Sequence, residues 1–223
     1  MKVLVTGSSQ GIGLACAQLF CARGHHVYGL DVQPAGFAHA EYEHFVADVR
    51  CPETFPNIEP EVIVNNAGVQ ASADDIAVNL RGAMNVVENY AFTGAAPAAS
   101  IYSVVNIGSS SGHTGAEFPA YAASKGGILA YTKNVAMRLA PQATCNSVDP
   151  GGVSTELNRP VMDDPALWER IMQLTPMKRW ATPEEIAQWV YFVAVENRFM
   201  TGQNLLIDGG EAGAFDFVWP EGA

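Results

Sequence analysis

Val3-Leu4-Val5-Thr6-Gly7-Ser8-Ser9-Gln10-Gly11-Ile12-Gly13 decides the architecture of this chain. Three apolar, β-favouring residues run into a glycine-rich turn. Beyond it Ile12, Ala15, Cys16, Leu19 and Phe20 recur at helical spacing. Arg23-Gly24 suits a helix C-terminus. A second apolar run, Val27 to Leu30, ends at Asp31. Strand, helix, strand over this length calls for a parallel crossover.

The alternation continues to the end of the chain. Phe45–Ala47, Val62–Val64, Ser103–Ile107, Cys145–Val148 and Leu205–Ile207 read as strands. Ile76–Thr93, Tyr121–Leu139, Ala166–Gln173 and Pro183–Val195 read as helices. The last carries a start signal: Thr182 as N-cap, Pro183 at the first helical position and Glu185 three residues after the cap. Between Asp48 and Val62, Pro52, Pro56 and Pro60 argue against a full crossover helix. The expected fold is a single-domain α/β, doubly wound parallel sheet (Rossmann-like) of about seven strands, with helices on both faces.

Composition narrows the function. The 223 residues carry 12 Lys+Arg against 23 Asp+Glu, a net charge of −11 that opposes phosphate backbones and anionic membranes, so neither nucleic acid nor membrane is an expected partner. With 48% hydrophobic residues the chain can bury a core and is not disordered. Cys16, Cys21, Cys51 and Cys145 form no CxxC unit, and His25, His26, His39 and His44 have no ligand spacing, so reduced thiols and no metal are expected. The longest apolar run, Trp189 to Val195, is too short to span a bilayer, and the N-terminus shows no signal peptide. A cytoplasmic protein is the expectation.

In a doubly wound sheet, ligands bind beyond the carboxyl ends of the strands, and the motifs of this chain fall there. The turn with Gly7, Gly11 and Gly13 lets backbone approach a pyrophosphate, and the following helix start offers free N–H groups to it. Asp31, 20 residues after Gly11, stands where a carboxylate accepts both ribose hydroxyls of an adenosine and repels a 2′-phosphate. No Arg or Lys lies between Thr6 and Gly13 or at Val32 and Gln33, so NAD is expected over NADP. In Tyr121-Ala122-Ala123-Ser124-Lys125 the phenol and the ammonium share one helix face. A phenol titrates near pH 10, and a neighbouring cation brings it within reach of proton transfer at neutral pH.

TGSSQGIG, NNAG at Asn65–Gly68, a serine about a dozen residues before YAASK, and PGGVST together resemble the short-chain dehydrogenase/reductase family. Asn79 in VNLRG, PEEIA at Pro183–Ala187 and TGQNLLIDGG at Thr201–Gly210 extend the resemblance from Lys2 to Gly210. It implies that Tyr121 is the general acid/base, that Ser109 holds the substrate oxygen, and that Lys125 tunes the tyrosine and bonds the nicotinamide ribose. Ser110 and Ser111 adjoin Ser109, which is chosen for the IGS lead-in and Gly112 three positions later. By the same resemblance Asn79 anchors a proton-relaying water, and Asp48-Val49 contact the adenine. Asn66-Ala67-Gly68 back the cofactor, Ser8 and Ile12 join its cradle, and Pro150-Gly151, Val153 and Thr155 hold the carboxamide. The four-residue Tyr/Lys spacing favours alcohol/ketone chemistry over enoyl reduction.

The implied activity is NAD-dependent interconversion of a secondary alcohol and a ketone. An epimerase or dehydratase that retains NAD, and a non-catalytic NAD-binding redox sensor, remain as alternatives. The resemblance also implies a homodimer or homotetramer built on the small-residue helices. Residues 1–223 read as one NAD-binding catalytic domain. Within it, 156–180 is expected as a substrate lid with an apolar wall (Leu157, Val161, Met162, Leu167, Trp168, Ile171, Met172, Trp180). Four cations (Arg159, Arg170, Lys178, Arg179) in that segment suit an anionic substrate end or plain solvation. His113 and Glu117 lie between Ser109 and Tyr121, within reach of a substrate, but surface or loop packing is the expectation for both. The apolar tail 211–223 is expected to dock on a neighbouring subunit. Only ten residues separate Gly68 from Asn79, short for the family.

Overall fold

The computed structural model describes residues 1–116 and 118–214. Seven strands form one all-parallel sheet: β1 (Lys2–Thr6), β2 (His26–Asp31), β3 (Tyr42–Val46), β4 (Val62–Asn65), β5 (Ser103–Ile107), β6 (Thr144–Pro150) and β7 (Asn204–Ile207). Their order is β3-β2-β1-β4-β5-β6-β7. The chain works outward from β1 to β3 and then returns to the other side of β1. The strand order therefore reverses between β1 and β4, and a crevice opens beyond their carboxyl ends.

The central strands are apolar on both faces because both faces are covered. Val3 and Val5 of β1, with Val62 and Val64 of β4, pack on α1 (Gly11–Ala22) and on the C-terminal helix α7 (Pro183–Tyr191) through Phe20, Ile186 and Val190. Leu4 and Ile63 point the other way, against α2 (Ala83–Tyr90) and α4 (Pro119–Leu139), where Val86, Val87, Val135 and Leu139 meet them. Truncating a fully buried Leu or Ile in either layer to Ala costs about 2–5 kcal/mol.

Helix boundaries follow their caps. At α1 the C-cap is Arg23, followed by Gly24 at φ +78°. Thr182 closes a reciprocal capping box on α7: its hydroxyl accepts from Glu185 N at 3.3 Å, and its own N–H donates to Glu185 Oε2 at 2.9 Å. Between β3 and β4 there is only a single 3-10 turn, Pro52–Thr54, as the prolines require. The helix expected over Ile76–Thr93 ends at Tyr90 instead. Phe92–Thr93 pairs with Ala96–Pro97 in a short antiparallel hairpin turned by Gly94 at φ +63°. That helix begins as a wide π turn, Ile76–Gly82, and α7 ends in another, Phe192–Glu196.

The segment 156–180 is largely helical: a 3-10 turn (Glu156–Asn158), then α5 (Arg159–Met162) and α6 (Pro165–Leu174). A further short helix, α3 (Ser110–Thr114), follows β5. No helix among the described residues is long and apolar enough to cross a membrane. Glu117 and residues 215–223, which include most of the expected docking tail, lie outside the described residues.

Candidate active site

One cleft of about 500 Å³ runs along the carboxyl ends of β1, β2, β4, β5 and β6. At one end the glycine turn is drawn hard against the tip of β4. A Cβ on Gly7, which sits at φ +65°, would stand 2.8 Å from Asn66 Nδ2, and one on Gly13 would collide with the Gly7 carbonyl. Asn66 donates its amide to the carbonyls of Thr6 (3.0 Å) and Gly7 (3.1 Å), while the Thr6 hydroxyl accepts from Asn66 N and Ala67 N, both at 3.0 Å. Gln10, at the N-cap of α1, makes no side-chain cap. The first-turn N–H groups of a twelve-residue helix thus face the cleft beside Gly11 and Ile12, as an anionic diphosphate requires.

Asp31 closes β2 in the same wall. Its Oδ2 accepts from Ser9 N at 3.0 Å and its Oδ1 from Gln33 N at 2.9 Å, and each oxygen keeps lone-pair capacity for a further donor. Beyond it the Arg50 guanidinium clasps Asp48 (Nη2 to Oδ2, 2.7 Å) and reaches Asp74 at 3.0 Å. Hydrogen bonds from Arg50 hold the Asp48 carboxyl below the usual range. The positive charge of Arg50 is therefore committed to two carboxylates.

The other end is built by β5 and α4. Tyr121 and Lys125 lie one turn apart on α4, with the Lys125 Nζ 5.7 Å from the tyrosine ring centroid. Lys125 is buried and donates to the Ile107 carbonyl, at the end of β5, at 2.9 Å. Burial pushes its ammonium down to about 8, against the upward pull of Asp149 and Asp75. Ser109 caps α3 and its Oγ accepts from Ser111 N at 3.1 Å, which leaves the hydroxyl hydrogen free to donate. Ser109, Tyr121 and Lys125 all line the cleft, whereas Ser110 and Ser111 do not.

Residues 60–211 match the family model described as enoyl-(acyl carrier protein) reductase. The chain is 33% identical to the 3-oxoacyl-[acyl-carrier-protein] reductase MabA of Mycobacterium tuberculosis, over 94% of this chain and 92% of that protein. The belonging is plain from these two matches. The chain belongs to the short-chain dehydrogenase/reductase family. Among solved structures, the aldohexose dehydrogenase of Thermoplasma acidophilum superposes with a TM-score of 0.83 at 31% identity, covering 99% of this chain and 97% of that one. A 4-hydroxyisoleucine dehydrogenase complexed with NADH superposes with a TM-score of 0.84 at 26% identity, covering 96% and 99%. The protein is an oxidoreductase of this family.

Most of the residues expected from the motifs of this short-chain dehydrogenase/reductase line the cleft: Gly7, Gly11, Ile12, Asp31, Asp48, Val49, Asn66, Ala67, Gly68, Pro150, Gly151, Val153 and Thr155 join Ser109, Tyr121 and Lys125. Three do not. Ser8 is buried behind the loop, with its hydroxyl 3.0 Å from Tyr42 Oη. Gly13 serves the close packing of α1 on the loop. Asn79, 2% exposed, holds the segment after Gly68 in place: it accepts from Val69 N at 2.8 Å and donates to Val69 O at 2.9 Å and to Ser124 Oγ at 3.1 Å.

The expected wall of the 156–180 segment also shrinks, since of its eight apolar residues only Leu157 and Trp180 line the cleft. None of its four cations does. Arg159 pairs with Glu156, Arg179 with Glu185, and Lys178 Nζ binds the Met172 and Gln173 carbonyls at the end of α6. His113 does not line the cleft either; it is bonded to Asp149. Motif reading missed Arg50 and Asp149, whose partners come from other elements, although the acidic residue directly before Pro150-Gly151 was a visible signal for the second.

Proposed function

We propose that the protein is an NAD-dependent dehydrogenase/reductase interconverting a secondary alcohol and a ketone. The single observation that carries this reading is the shared face of Tyr121 and Lys125 on α4, opposite Ser109, at one end of a cleft whose other end is an uncapped helix N-terminus. A bound nicotinamide dinucleotide would supply the hydride donor or acceptor. The α1 N–H groups would bind its diphosphate, Asp31 its adenosine ribose, and Asp48-Val49 its adenine. Pro150-Gly151, Val153 and Thr155 would hold its carboxamide.

The chain's own work is proton delivery and orientation. Ser109 donates its hydroxyl hydrogen to the substrate oxygen. Tyr121 Oη takes the alcohol proton in oxidation and returns it in reduction. The Lys125 ammonium favours the phenolate, and Asn79 keeps the relay side of α4 in place through Ser124. NAD over NADP is supported by the Asp31 carboxylate and by the commitment of Arg50 to Asp48 and Asp74, which leaves no free cation for a 2′-phosphate among the cleft residues named above.

Segment 156–180 acts as the lid through Leu157 and Trp180, within one catalytic domain, and the subunits form a dimer or tetramer, which light scattering measures. A panel of secondary alcohols and ketones, followed by absorbance of the reduced cofactor with NAD and NADP in parallel, tests the reading. Turnover that requires Tyr121 and favours NAD supports it. Full turnover by Tyr121→Phe, or a preference for NADP, overturns the corresponding part. Tightly retained NAD without net turnover would instead mark an epimerase or dehydratase.

A further inference from the structure

Asp149 is the last residue of β6 before Pro150-Gly151, and its side chain is 0% exposed. A carboxylate so buried is costly unless it is bonded and paired. Its Oδ2 lies 2.7 Å from Nε2 of His113, one turn beyond Ser109 in α3. Its Oδ1 finds no hydrogen-bond partner among the described residues and presses on Gly108, where a Cβ would collide with it. Gly108 follows Ile107, whose carbonyl holds the Lys125 ammonium, and its N–H donates to Val148 O at 2.9 Å. Asp149 and Lys125 thus flank the same end of β5 with opposite charges.

Among the described residues, few groups face this pair. Asp149 is bonded to His113 of α3, and Ser147 of its own strand and the charge of Lys125 on α4 act on it as well. Lys125 stands over the Tyr121 ring and feels the charges of Asp149 and of the buried Asp75 at the head of the π turn before α2. Burial pushes the Asp149 carboxyl up, and His113, Ser147 and Lys125 pull it back toward the ionised form. Burial pushes Lys125 down, and Asp149, then Asp75, hold it up.

We propose that His113 and Asp149 are positioning residues for Lys125: the imidazole keeps the buried carboxylate ionised, and the carboxylate keeps the ammonium charged. The consequence for catalysis, a Tyr121 that stays competent for proton transfer at neutral pH, rests on the function proposed above. The electrostatic coupling itself does not.

Lysine side-chain NMR with a carbon label at Cε reads the coupling directly, since the sequence holds only Lys2, Lys125, Lys133 and Lys178. In Asp149→Asn the Lys125 titration midpoint falls by about one pH unit or more. His113→Leu, at a side chain 28% exposed and so tolerant of change, moves it the same way by leaving Asp149 to protonate. His113→Gln, which can still donate to Oδ2, keeps the midpoint near that of the unaltered protein. An unmoved Lys125 midpoint in either folded Asp149→Asn or His113→Leu overturns the proposal, as does a His113→Gln midpoint displaced as far as that of His113→Leu. The pH profile of kcat/KM for the same variants separates the two claims. If Lys125 moves while Tyr121→Phe retains full turnover, the coupling stands and the catalytic reading fails. If Tyr121 is essential and Lys125 does not move, the reverse holds.

Discussion

The Lys125 ammonium is fixed to the main-chain carbonyl of Ile107 at 2.9 Å, which ties the middle of α4 to the end of β5. This bond carries the charge beneath Tyr121 at a defined place, on a backbone group that neither titrates nor rotates. It couples the sheet register to the chemistry, because Ile107 lies opposite Val148 in β6 and so sets the height of Pro150-Gly151 as well.

Tyr121→Phe removes the proposed proton carrier while leaving the ring and its packing. Turnover falls by about 10²- to 10⁴-fold, and binding of the dinucleotide, followed by fluorescence quenching, is kept within a few-fold. Lys125→Met loses turnover to a similar extent.

Asp31→Ser removes the carboxylate proposed to oppose a 2′-phosphate, together with the acceptors for Ser9 and Gln33 N–H. The ratio of kcat/KM for NAD over NADP falls on the order of tenfold or more, which is about 1.4 kcal/mol. Steady-state kinetics with both cofactors measures it.

Gly7→Ala forces a Cβ into the 2.8 Å gap to Asn66 at a φ of +65°. The strain costs about 1–3 kcal/mol in denaturant unfolding, and the displaced loop weakens dinucleotide binding in the same variant.

Glu185 gives a pH-dependent term. The Arg179 guanidinium first, and the Thr182 N–H second, hold its carboxyl down to about 2 from 4.5. Because the folded value is the lower one, this stabilisation is present above pH 4.5 and is lost as pH falls from there toward 2. The stability gap between the protein and Glu185→Gln, from urea unfolding, is therefore open at neutral pH and closes on acidification. Thr182→Ala, which removes the cap hydroxyl, costs about 1 kcal/mol at either end of that range.

Much of the fold is legible from apolar runs and breakers. Ser103–Ile107 is a strand at the boundaries its residues suggest, and the prolines of 52–60 do reduce a crossover helix to one 3-10 turn. The hairpin at Phe92–Thr93 and Ala96–Pro97 is not legible, because helical periodicity continues through Phe92 and only the Gly94 turn with the facing Ala96–Pro97 overrides it. In the site, Asn66 and Thr6 are visible as motif residues, but their task, stitching the glycine turn to β4, depends on strands sixty positions apart in the chain meeting side by side.

The sequence by itself determined the strand–turn–helix that opens the crevice, the acidic end of β2 and the one-turn spacing of Tyr121 and Lys125. Each of these is set by local backbone preference over a few residues. Only the tertiary structure decided which polar groups are left for a ligand and which are spent on the protein. Arg50 is committed to Asp48 and Asp74, Ser8 turns back to Tyr42, the cations of segment 156–180 stay outside the cleft, and Asp149 is buried against His113. Burial and pairing depend on what the other strands and helices bring to the same point, and the distance along the chain does not encode that.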